Sequence, residues 1–234
     1  MRFRKIGLIG AMDEEIRLFH EHIAGERVTE TAGGTYREGD MFGKRVVLCK
    51  SGVGKVNAAV CTLKLIDRFG VDAVIFTGVA GALDPRLSIG DIVISNDCMH
   101  HDMDASALGF AKGTIPFMPQ SVFAADPQLV ELAFAASERV EQGRSVVGRV
   151  LSGDQFIADR SMVQTLHRQM GGTCTEMEGA AVAQVCALSG IPFVIIRSMS
   201  DKADGSAQIN FQEFAETAAA RSCGIVREML QALA

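Results

Sequence analysis

The sequence predicts an α/β fold with a largely parallel or mixed central sheet. Short, strongly apolar runs, which are typical of buried strands, alternate with longer segments whose apolar residues have helical spacing. Hydrophobic residues make up 48% of the 234 positions, enough for a sizeable core. No shift in composition, repeat or low-complexity stretch marks a boundary, so we expect one domain spanning residues 1–234.

The first half of the chain is predicted to open with a buried strand followed by a helix. Residues 5–12, KIGLIGAM, form a continuous apolar run, and helical spacing of apolar residues follows from 16 to 23. The glycine-rich run SGVGK at 51–55 opens a further helix, and glycines at such a junction let backbone N–H groups approach a polar ligand. Its spacing does not match a P-loop. The other elements predicted here are strands at 35–38, 45–50, 72–77 and 90–96 and a helix at 56–69.

The second half begins with a long loop, residues 105–120, whose glycines and prolines disfavour regular structure. Loops of this length in compact domains are usually functional. Asp126-Pro127 then starts an amphipathic helix that reaches residue 142, with proline in its first turn. The remaining predicted elements are strands at 145–151 and 191–199, helices at 161–170 and 210–233, and a helix from the Glu176–Glu178 junction to about 189.

Glu176 and Glu178 flank Met177 where a short β-prone segment gives way to a helix of small residues. In an extended chain, residues two apart point the same way, so we expect both carboxylates on one face. The unpaired N–H groups of the helix start suit an ionised carboxylate, and a helix-capping role is the commoner one for a single glutamate. Two other acidic strand ends, residues 13–15 and Asp201, favour a shared carboxylate site instead.

Ligands of α/β sheets bind outside the carboxyl ends of the strands. In this chain the distinctive segments all follow predicted strands, and in the GVAGA run the small residues, including Gly81, leave backbone room for a ligand. This convergence predicts one small-molecule site. The segments are 12–15, 51–55, 77–82, 152–157, 175–178 and 199–202.

Composition excludes several other classes of function. The net charge of −5 disfavours duplex DNA or an anionic membrane as the main partner, and the absence of Trp with a single Tyr disfavours a base-stacking surface. The six cysteines form no C-x-x-C pair and fit buried thiols of a reducing compartment. His100 and His101 lack the spacing of a metal site, so we expect a polar loop there. No run reaches the ~18 apolar residues of a membrane span or resembles a leader peptide, and we expect a cytoplasmic protein.

The candidate reactive groups are the carboxylates of Glu15, Glu178 and Asp201, and no activated nucleophile accompanies them. Several carboxylates without an activated nucleophile suit acid/base cleavage of a glycosidic bond through an oxocarbenium-like state. Met12, Met177, Phe156 and Phe211 could line an apolar pocket beside them, although core packing is the commoner role of such residues.

A set of motifs follows in order along nearly the whole chain. They are GLIGAMDEE at 7–15, KSGVGKVNAA at 50–59, TGVAGAL at 77–83, HDMD at 101–104, SGDQFI at 152–157, EMEGAAVAQVC at 176–186 and RSMSD at 197–201. As a set they closely resemble the bacterial 5′-methylthioadenosine/S-adenosylhomocysteine nucleosidases of the purine nucleoside phosphorylase-like superfamily. The resemblance implies a three-layer αβα sandwich with a central mixed β-sheet, a homodimer, and hydrolysis of the bond between adenine and the thioribose without metal or organic cofactor.

The same resemblance implies a role for each matched residue. Glu15 would activate water, Glu178 would bind the ribose hydroxyls, and Asp201, oriented by Ser200, would protonate adenine at ring nitrogen 7. The Phe156–Ile157 segment would stack on adenine and read its edge through backbone groups. Met177 and Arg197 would sit beside the ribose, and Glu176 would also contact the substrate. Met12, Val53 and Phe211 would line an alkylthio pocket together with the partner's 101–116 loop.

Two positions depart from the family pattern: Val79, where many members have serine, and Val53, where many have isoleucine. Relatives that hydrolyse 6-amino-6-deoxyfutalosine stay open as an alternative, as does a phosphate-dependent nucleoside phosphorylase. Phosphorolysis needs cationic groups for phosphate, and the acids at 13–15 oppose it. A non-catalytic nucleoside-binding protein is disfavoured by the joint presence of the three carboxylates.

Overall fold

The computed structural model describes residues 3–140, 142–203 and 207–234, without the side chains of residues 207–213 and 215. The strands are β1 Lys5–Gly10, β2 Ala24–Thr31, β3 Gly34–Met41, β4 Lys44–Lys50, β5 Ala73–Ala82, β6 Ile92–His100, β7 Val122–Ala124, β8 Ser145–Ser152, β9 Gly172–Glu176 and β10 Phe193–Asp201. The helices are α1 Asp13–His20, α2 Lys55–Asp67, α3 Pro127–Val140, α4 Arg160–Met170, α5 Gly179–Ser189 and α6 Ala207–Leu233, with a 3₁₀ turn at Ser106–Leu108.

In the described ranges, the strands form one mixed sheet in the order β10-β6-β8-β9-β5-β1-β4-β3-β2, with β7 paired to β6. The long strand β5 is parallel to β10 and β1, and its last two residues pair antiparallel with β9. Because β10 pairs with β6, β6 with β8 and β8 with β9, these strands return to β5 and close a ring.

Helices cover both faces of the sheet and make the three-layer αβα fold that was predicted. Side chains of β1 alternate between the faces, as strand geometry requires. Ile9 belongs to a core cluster with residues of α2 and α5, whereas Leu8 belongs to a cluster with residues of α1, α3 and α6. Burial on both faces explains why β1 is almost continuously apolar. In the described ranges, no helix combines the length and the apolar character needed to cross a bilayer.

Two strands escaped sequence prediction. β2 is polar and mostly exposed, and it pairs with β3 at the edge of the sheet, where burial does not select apolar residues. The other, β7, has only three residues. β5 also extends beyond residue 77 through the GVAGA run, contrary to the predicted strand end. Glycine and alanine have low strand propensity, but pairing with β10 and β9 keeps this run extended.

The direction of the strands decides where their ends meet. β8 and β9 run opposite to β5 and β10, so their carboxyl ends would lie at the far edge of a simple sheet. Instead, β9 overlaps β5 only at the last residues of both, with Gly81 opposite Thr175. The carboxyl ends of these strands therefore converge near one point of the closed ring.

Candidate active site

A cavity of about 230 Å³ opens where these strand ends converge. Every predicted site residue except Arg197 and Phe211 lines it. Arg197 is buried and contacts Glu176 in the wall, and the side chain of Phe211 in α6 lies outside the described residues. The predicted residues in the lining are Met12, Glu15, Val53, Gly81, Phe156, Ile157, Glu176, Met177, Glu178, Ser200 and Asp201.

Some residues in the lining were not named as site residues from the sequence. Gln155 and Thr175 each adjoin a predicted site residue, and Ala11, Val79 and Ala80 lie at or beside the ends of β1 and β5. All but Ala11 fall inside the strand-end segments named above. The sequence signal therefore located the segments, whereas the residues within them that face the cavity depend on local backbone geometry.

Glu15 is buried in the first turn of α1, and backbone N–H groups hold its carboxylate. The N–H groups of Ala11 and Met12 donate to Oε2 at 2.6 and 3.1 Å, and that of Val79 donates to Oε1 at 3.0 Å. A carboxylate can accept about four hydrogen bonds, which leaves an acceptor position for a further donor such as water. Gly78 permits this arrangement, because a Cβ at that position would collide with the Glu15 carboxylate.

Burial raises the pKa of Glu15 above its ordinary value, although the nearby Arg197 guanidinium and the three backbone donors oppose the shift. A raised pKa brings a carboxylate closer to the range in which a general base works well near neutral pH. The position of Glu15 and its protonation behaviour are therefore both compatible with accepting a proton from a cavity water.

Glu176 and Glu178 both line the cavity, but their carboxylates have different partners. β9 ends at Glu176, and Glu178 takes the turn conformation of the residue before α5, with φ −137° and ψ −39°. The Glu176 carboxylate accepts the N–H groups of Glu178 and Gly179 at the start of α5. It also accepts the Ser152 hydroxyl and Nη2 of Arg197, the latter at 2.6 Å. Glu176 therefore performs the helix-capping role and forms a buried ion pair.

Glu178 has a different environment, because its Oε1 accepts the backbone N–H of Gly54 at 2.7 Å. Burial, together with the neighbouring charge of Glu176, raises the pKa of Glu178 to about 8. Gly54 belongs to the glycine-rich loop and has a φ of 98°, a left-handed conformation that glycine adopts without strain. The backbone of the SGVGK loop thus approaches a polar group closely, as predicted, but that group is a carboxylate of the protein itself.

Asp201 ends β10 and is held on both sides. The Ser200 hydroxyl donates to Oδ2 at 2.7 Å, and the N–H of Ala203 donates to Oδ1 at 2.6 Å. Gly81 faces this carboxylate across the β5–β10 pairing, and a Cβ there would come within 2.9 Å of Oδ1. The small residue predicted at position 81 therefore allows Asp201 to approach β5 closely.

The pair His100 and His101, where we expected a polar loop, lies outside this cavity; both residues are buried, and His100 belongs to strand β6 instead. His100 ends β6 with Nε2 3.0 Å from Oε1 of Gln184, and His101 packs against Gly153. In the part of the chain that the structure describes, no group of three or more His, Cys, Asp or Glu residues is arranged to hold a metal ion.

Comparison with known proteins places this arrangement in a family. The model of the phosphorylase superfamily matches residues 5–231. The 5′-methylthioadenosine/S-adenosylhomocysteine nucleosidase of Geobacillus kaustophilus is 43% identical over 98% of this chain and 97% of its own length. This chain belongs to the phosphorylase superfamily and, within it, to these nucleosidases.

Solved structures agree with this family assignment. The nucleosidase of Neisseria meningitidis, in complex with methylthio-immucillin-A, has a TM-score of 0.93 and 41% identity, covering 98% of this chain and 99% of that one. The futalosine hydrolase of Helicobacter pylori has a similar fold, with a TM-score of 0.92, but lower identity, 31%, over 98% of this chain and 99% of its own. The nucleoside phosphorylase-like fold expected from the sequence is thereby confirmed.

The geometry also explains how this nucleosidase chain accommodates its two departures from the family pattern. Val79 holds Glu15 through its backbone N–H, a contact that does not depend on the side chain. Val53 lines the cavity with half of its surface exposed, so a change in its size would alter the volume of the cavity without disturbing the core.

Proposed function

We propose that this chain hydrolyses the N-glycosidic bond of 5′-methylthioadenosine and S-adenosylhomocysteine, releasing adenine and the thioribose. The observation that carries the proposal is the convergence of Glu15, Glu178 and Asp201 on one cavity. The family supports it, because relatives covering nearly the whole chain bear this activity in their names. 5′-Deoxyadenosine, which has the same base and lacks the thio group, is a further candidate substrate.

In the proposed mechanism, each carboxylate acts on a different part of the substrate. Glu15 accepts the proton of the attacking water through its remaining acceptor position. Asp201 delivers a proton to ring nitrogen 7 of adenine, which is a poor leaving group as an anion, and Ser200 orients the Asp201 carboxylate through its 2.7 Å hydrogen bond. Glu178 binds the ribose hydroxyls while the bond to adenine breaks through an oxocarbenium-like state.

The apolar part of the cavity is assigned to the base and the thio group. Phe156 is half exposed at the cavity, so it can stack on adenine, and the backbone of Ile157 reads the edge of the base. Met177 contacts the ribose. Met12, Val53 and Phe211 form the alkylthio pocket, which is completed by the partner's 101–116 loop.

We propose positioning roles for two residues that the resemblance places in contact with the substrate. Glu176 and Arg197 form an ion pair whose side chains are 4% and 1% exposed, and Glu176 has further donors at the start of α5. We therefore assign both residues to positioning Glu178 and Met177, which lie between β9 and α5, rather than to direct contact with the ribose.

Phosphorolysis is the competing reaction within the superfamily. Phosphate would need cationic donors at the cavity, whereas Glu15 and Glu178 present acidic groups there and Arg197 is engaged by Glu176. The test is release of adenine from methylthioadenosine with and without phosphate. Hydrolysis gives the same rate in both, and a rate that requires phosphate contradicts the proposal. 6-Amino-6-deoxyfutalosine, assayed in parallel, tests the activity suggested by the Helicobacter pylori relative.

The acting unit is proposed to be a homodimer. Val56, Val60 and Leu63 follow each other at helical spacing and leave an exposed apolar face on α2, with Val56 74% exposed. α2 begins just after Val53 of the cavity, so a second copy on this face would reach the substrate site. Phe117 of the 101–120 loop is 92% exposed and fits the same interface. Sedimentation that finds a fully active monomer would contradict this assembly.

We also infer a cytoplasmic location and a place in methionine salvage and in the recycling of S-adenosylmethionine by-products. All six cysteines lie in the described ranges, and each is a buried free thiol, as expected in a reducing compartment. Cell fractionation, followed by measurement of methylthioadenosine in cells lacking the protein, tests both statements.

A further inference from the structure

Three loops around the cavity are tied together by a set of contacts that the proposed mechanism does not use. Lys55 donates through Nζ to both oxygens of Asp102, at 2.6 and 2.7 Å. The backbone N–H of Lys55 donates to Oδ1 of Asp154 at 2.8 Å, and the backbone N–H of Asp154 donates to Oδ2 of Asp102 at 3.0 Å. These contacts form a closed ring, which we call the loop clamp and define as Lys55, Asp102 and Asp154.

Each loop joined by the clamp carries a different part of the surroundings of the cavity. Lys55 directly follows Gly54, whose N–H holds the Glu178 carboxylate. Asp154 precedes Phe156 and Ile157, the proposed adenine contacts, by two and three positions. Asp102 lies in the HDMD motif, at the start of the loop proposed to reach the partner's site.

The packing of the clamp leaves little freedom for alternative arrangements. A Cβ on Gly54 would lie 3.2 Å from Oδ1 of Asp154, and a Cβ on Gly153 would lie 3.1 Å from Cγ of Asp102 and collide with His101. The side chains of Lys55 and Asp102 are 20% and 17% exposed, so solvent screens their attraction only in part. Burial opposes the ionised form of Asp102, but the Lys55 ammonium and the Asp154 N–H outweigh it and lower the Asp102 pKa.

We propose that Asp102 and Lys55 are positioning residues of the nucleosidase, which hold the Gly54 N–H on Glu178 and the Phe156–Ile157 segment against adenine. This inference rests on the proposed function and adds residues that act through others. Loosening the clamp would let both loops move without removing any group that touches substrate. Displacement of reacting groups by about 1 Å can cost 100-fold in rate, so a measurable loss is expected.

The chain offers a matched control at the other end of β6. Asp91, just before β6, accepts Nε of Arg144 at 3.1 Å and the backbone N–H of Ser88 at 2.8 Å. Its side chain is 17% exposed, as is that of Asp102. Asp91→Asn therefore removes a carboxylate that accepts from a cationic side chain and from a backbone N–H, as Asp102→Asn does. Unlike the loops joined by the clamp, Asp91 does not adjoin residues that line the cavity.

The experiment compares Asp102→Asn, Lys55→Met, the double variant and Asp91→Asn, with methylthioadenosine as substrate, well below the unfolding temperature. Asp102→Asn should lower kcat/KM by about tenfold or more, with KM raised and kcat reduced. Lys55→Met should lower kcat/KM by a similar factor. The double variant should have a kcat/KM no lower than that of either single variant, because each substitution already opens the same ring of contacts. Asp91→Asn should keep wild-type kcat/KM despite a similar change in Tm.

Two outcomes would overturn the clamp: an Asp102→Asn enzyme within twofold of wild-type kcat/KM, or an equal loss in Asp91→Asn. Failure of the proposed function has a different signature. In that case the wild-type protein itself releases no adenine and calorimetry detects no binding of adenine. That result would contradict both the proposed function and the positioning role.

Discussion

Two sets of residues at the cavity hold carboxylates in different ways. The buried charge cluster consists of Ser152, Glu176 and Arg197, in which a carboxylate meets a guanidinium at 2.6 Å. The cavity carboxylates are Glu15, Glu178 and Asp201. Backbone N–H groups hold Glu15 and Glu178, and the Ser200 hydroxyl and the Ala203 N–H hold Asp201.

The difference shows how one site uses carboxylates for two purposes. The Glu176 carboxylate is paired with the Arg197 guanidinium, whereas Glu15 and Glu178 are held by backbone N–H groups and have raised pKa values, which suits them to exchange protons. Glu176 therefore fits a structural role and Glu178 a functional one, although only Met177 separates them. The following predictions test that division, from the largest expected effect to the smallest.

Asp201→Asn should reduce hydrolysis of methylthioadenosine by about 1,000-fold, because asparagine keeps the hydrogen bond from Ala203 but cannot deliver a proton to adenine. The measurement is kcat on methylthioadenosine compared with a nitrophenyl thioriboside, whose leaving group needs no protonation and should lose much less rate. Equal losses on both substrates would exclude Asp201 as the acid.

Glu176→Gln should lower the free energy of unfolding by about 3 kcal/mol, because the buried Arg197 loses the partner that neutralises it. Urea denaturation at pH 7 measures this effect. Asp91→Asn, which loosens a more exposed ion pair, should cost less than about 1 kcal/mol. Similar losses in the two variants would remove the distinction between the buried charge cluster and an ordinary ion pair.

Glu15→Gln should lower turnover by about 100-fold, equivalent to about 2.7 kcal/mol of transition-state stabilisation, because an amide cannot accept the proton of water. Asp13→Asn is the control from the same strand end. Asp13 is exposed and pairs with Lys50 at 2.8 Å, so its removal should leave turnover nearly unchanged. Near-normal turnover of Glu15→Gln would end its assignment as the base.

Glu178→Gln should show the smallest effect, a shift in thermal stability that depends on pH. Because burial and Glu176 raise the pKa of Glu178 to about 8, the folded protein retains a proton that the unfolded chain loses near pH 4.5. The wild type therefore loses stability from this group as pH rises from about 4.5 to 8. The Tm of Glu178→Gln relative to wild type should therefore increase as the pH rises from 5 to 8.

Scanning calorimetry across that pH range provides the measurement. Glu14→Gln, which removes an exposed glutamate from α1, controls for the change in net charge. A Tm difference that stays constant from pH 5 to 8 would show that Glu178 ionises like an ordinary glutamate, and the contrast with Glu176 would then need another explanation.

The sequence by itself determined much of this protein. Apolar runs and helical spacing identified most strands and helices, because burial on both faces of the sheet leaves a strong local signal. The acids and glycines at strand ends located the segments that line the cavity. Polar β2 was missed because an edge strand carries little of that signal, and the extension of β5 was missed because cross-strand pairing overrides the low strand propensity of GVAGA.

Only the tertiary structure decided the roles of individual carboxylates. The local sequence predicts the same face for Glu176 and Glu178, but the groups that bind their carboxylates are distant along the chain. Arg197 is 21 residues from Glu176, and Gly54 is 124 residues from Glu178. The ionisation of a carboxylate depends on its burial and on the charges within a few ångströms, and folding brings those groups together from separate parts of the chain. The strand-to-helix turn at Glu178 then gives the two carboxylates different partners, the Arg197 guanidinium for Glu176 and the Gly54 N–H for Glu178.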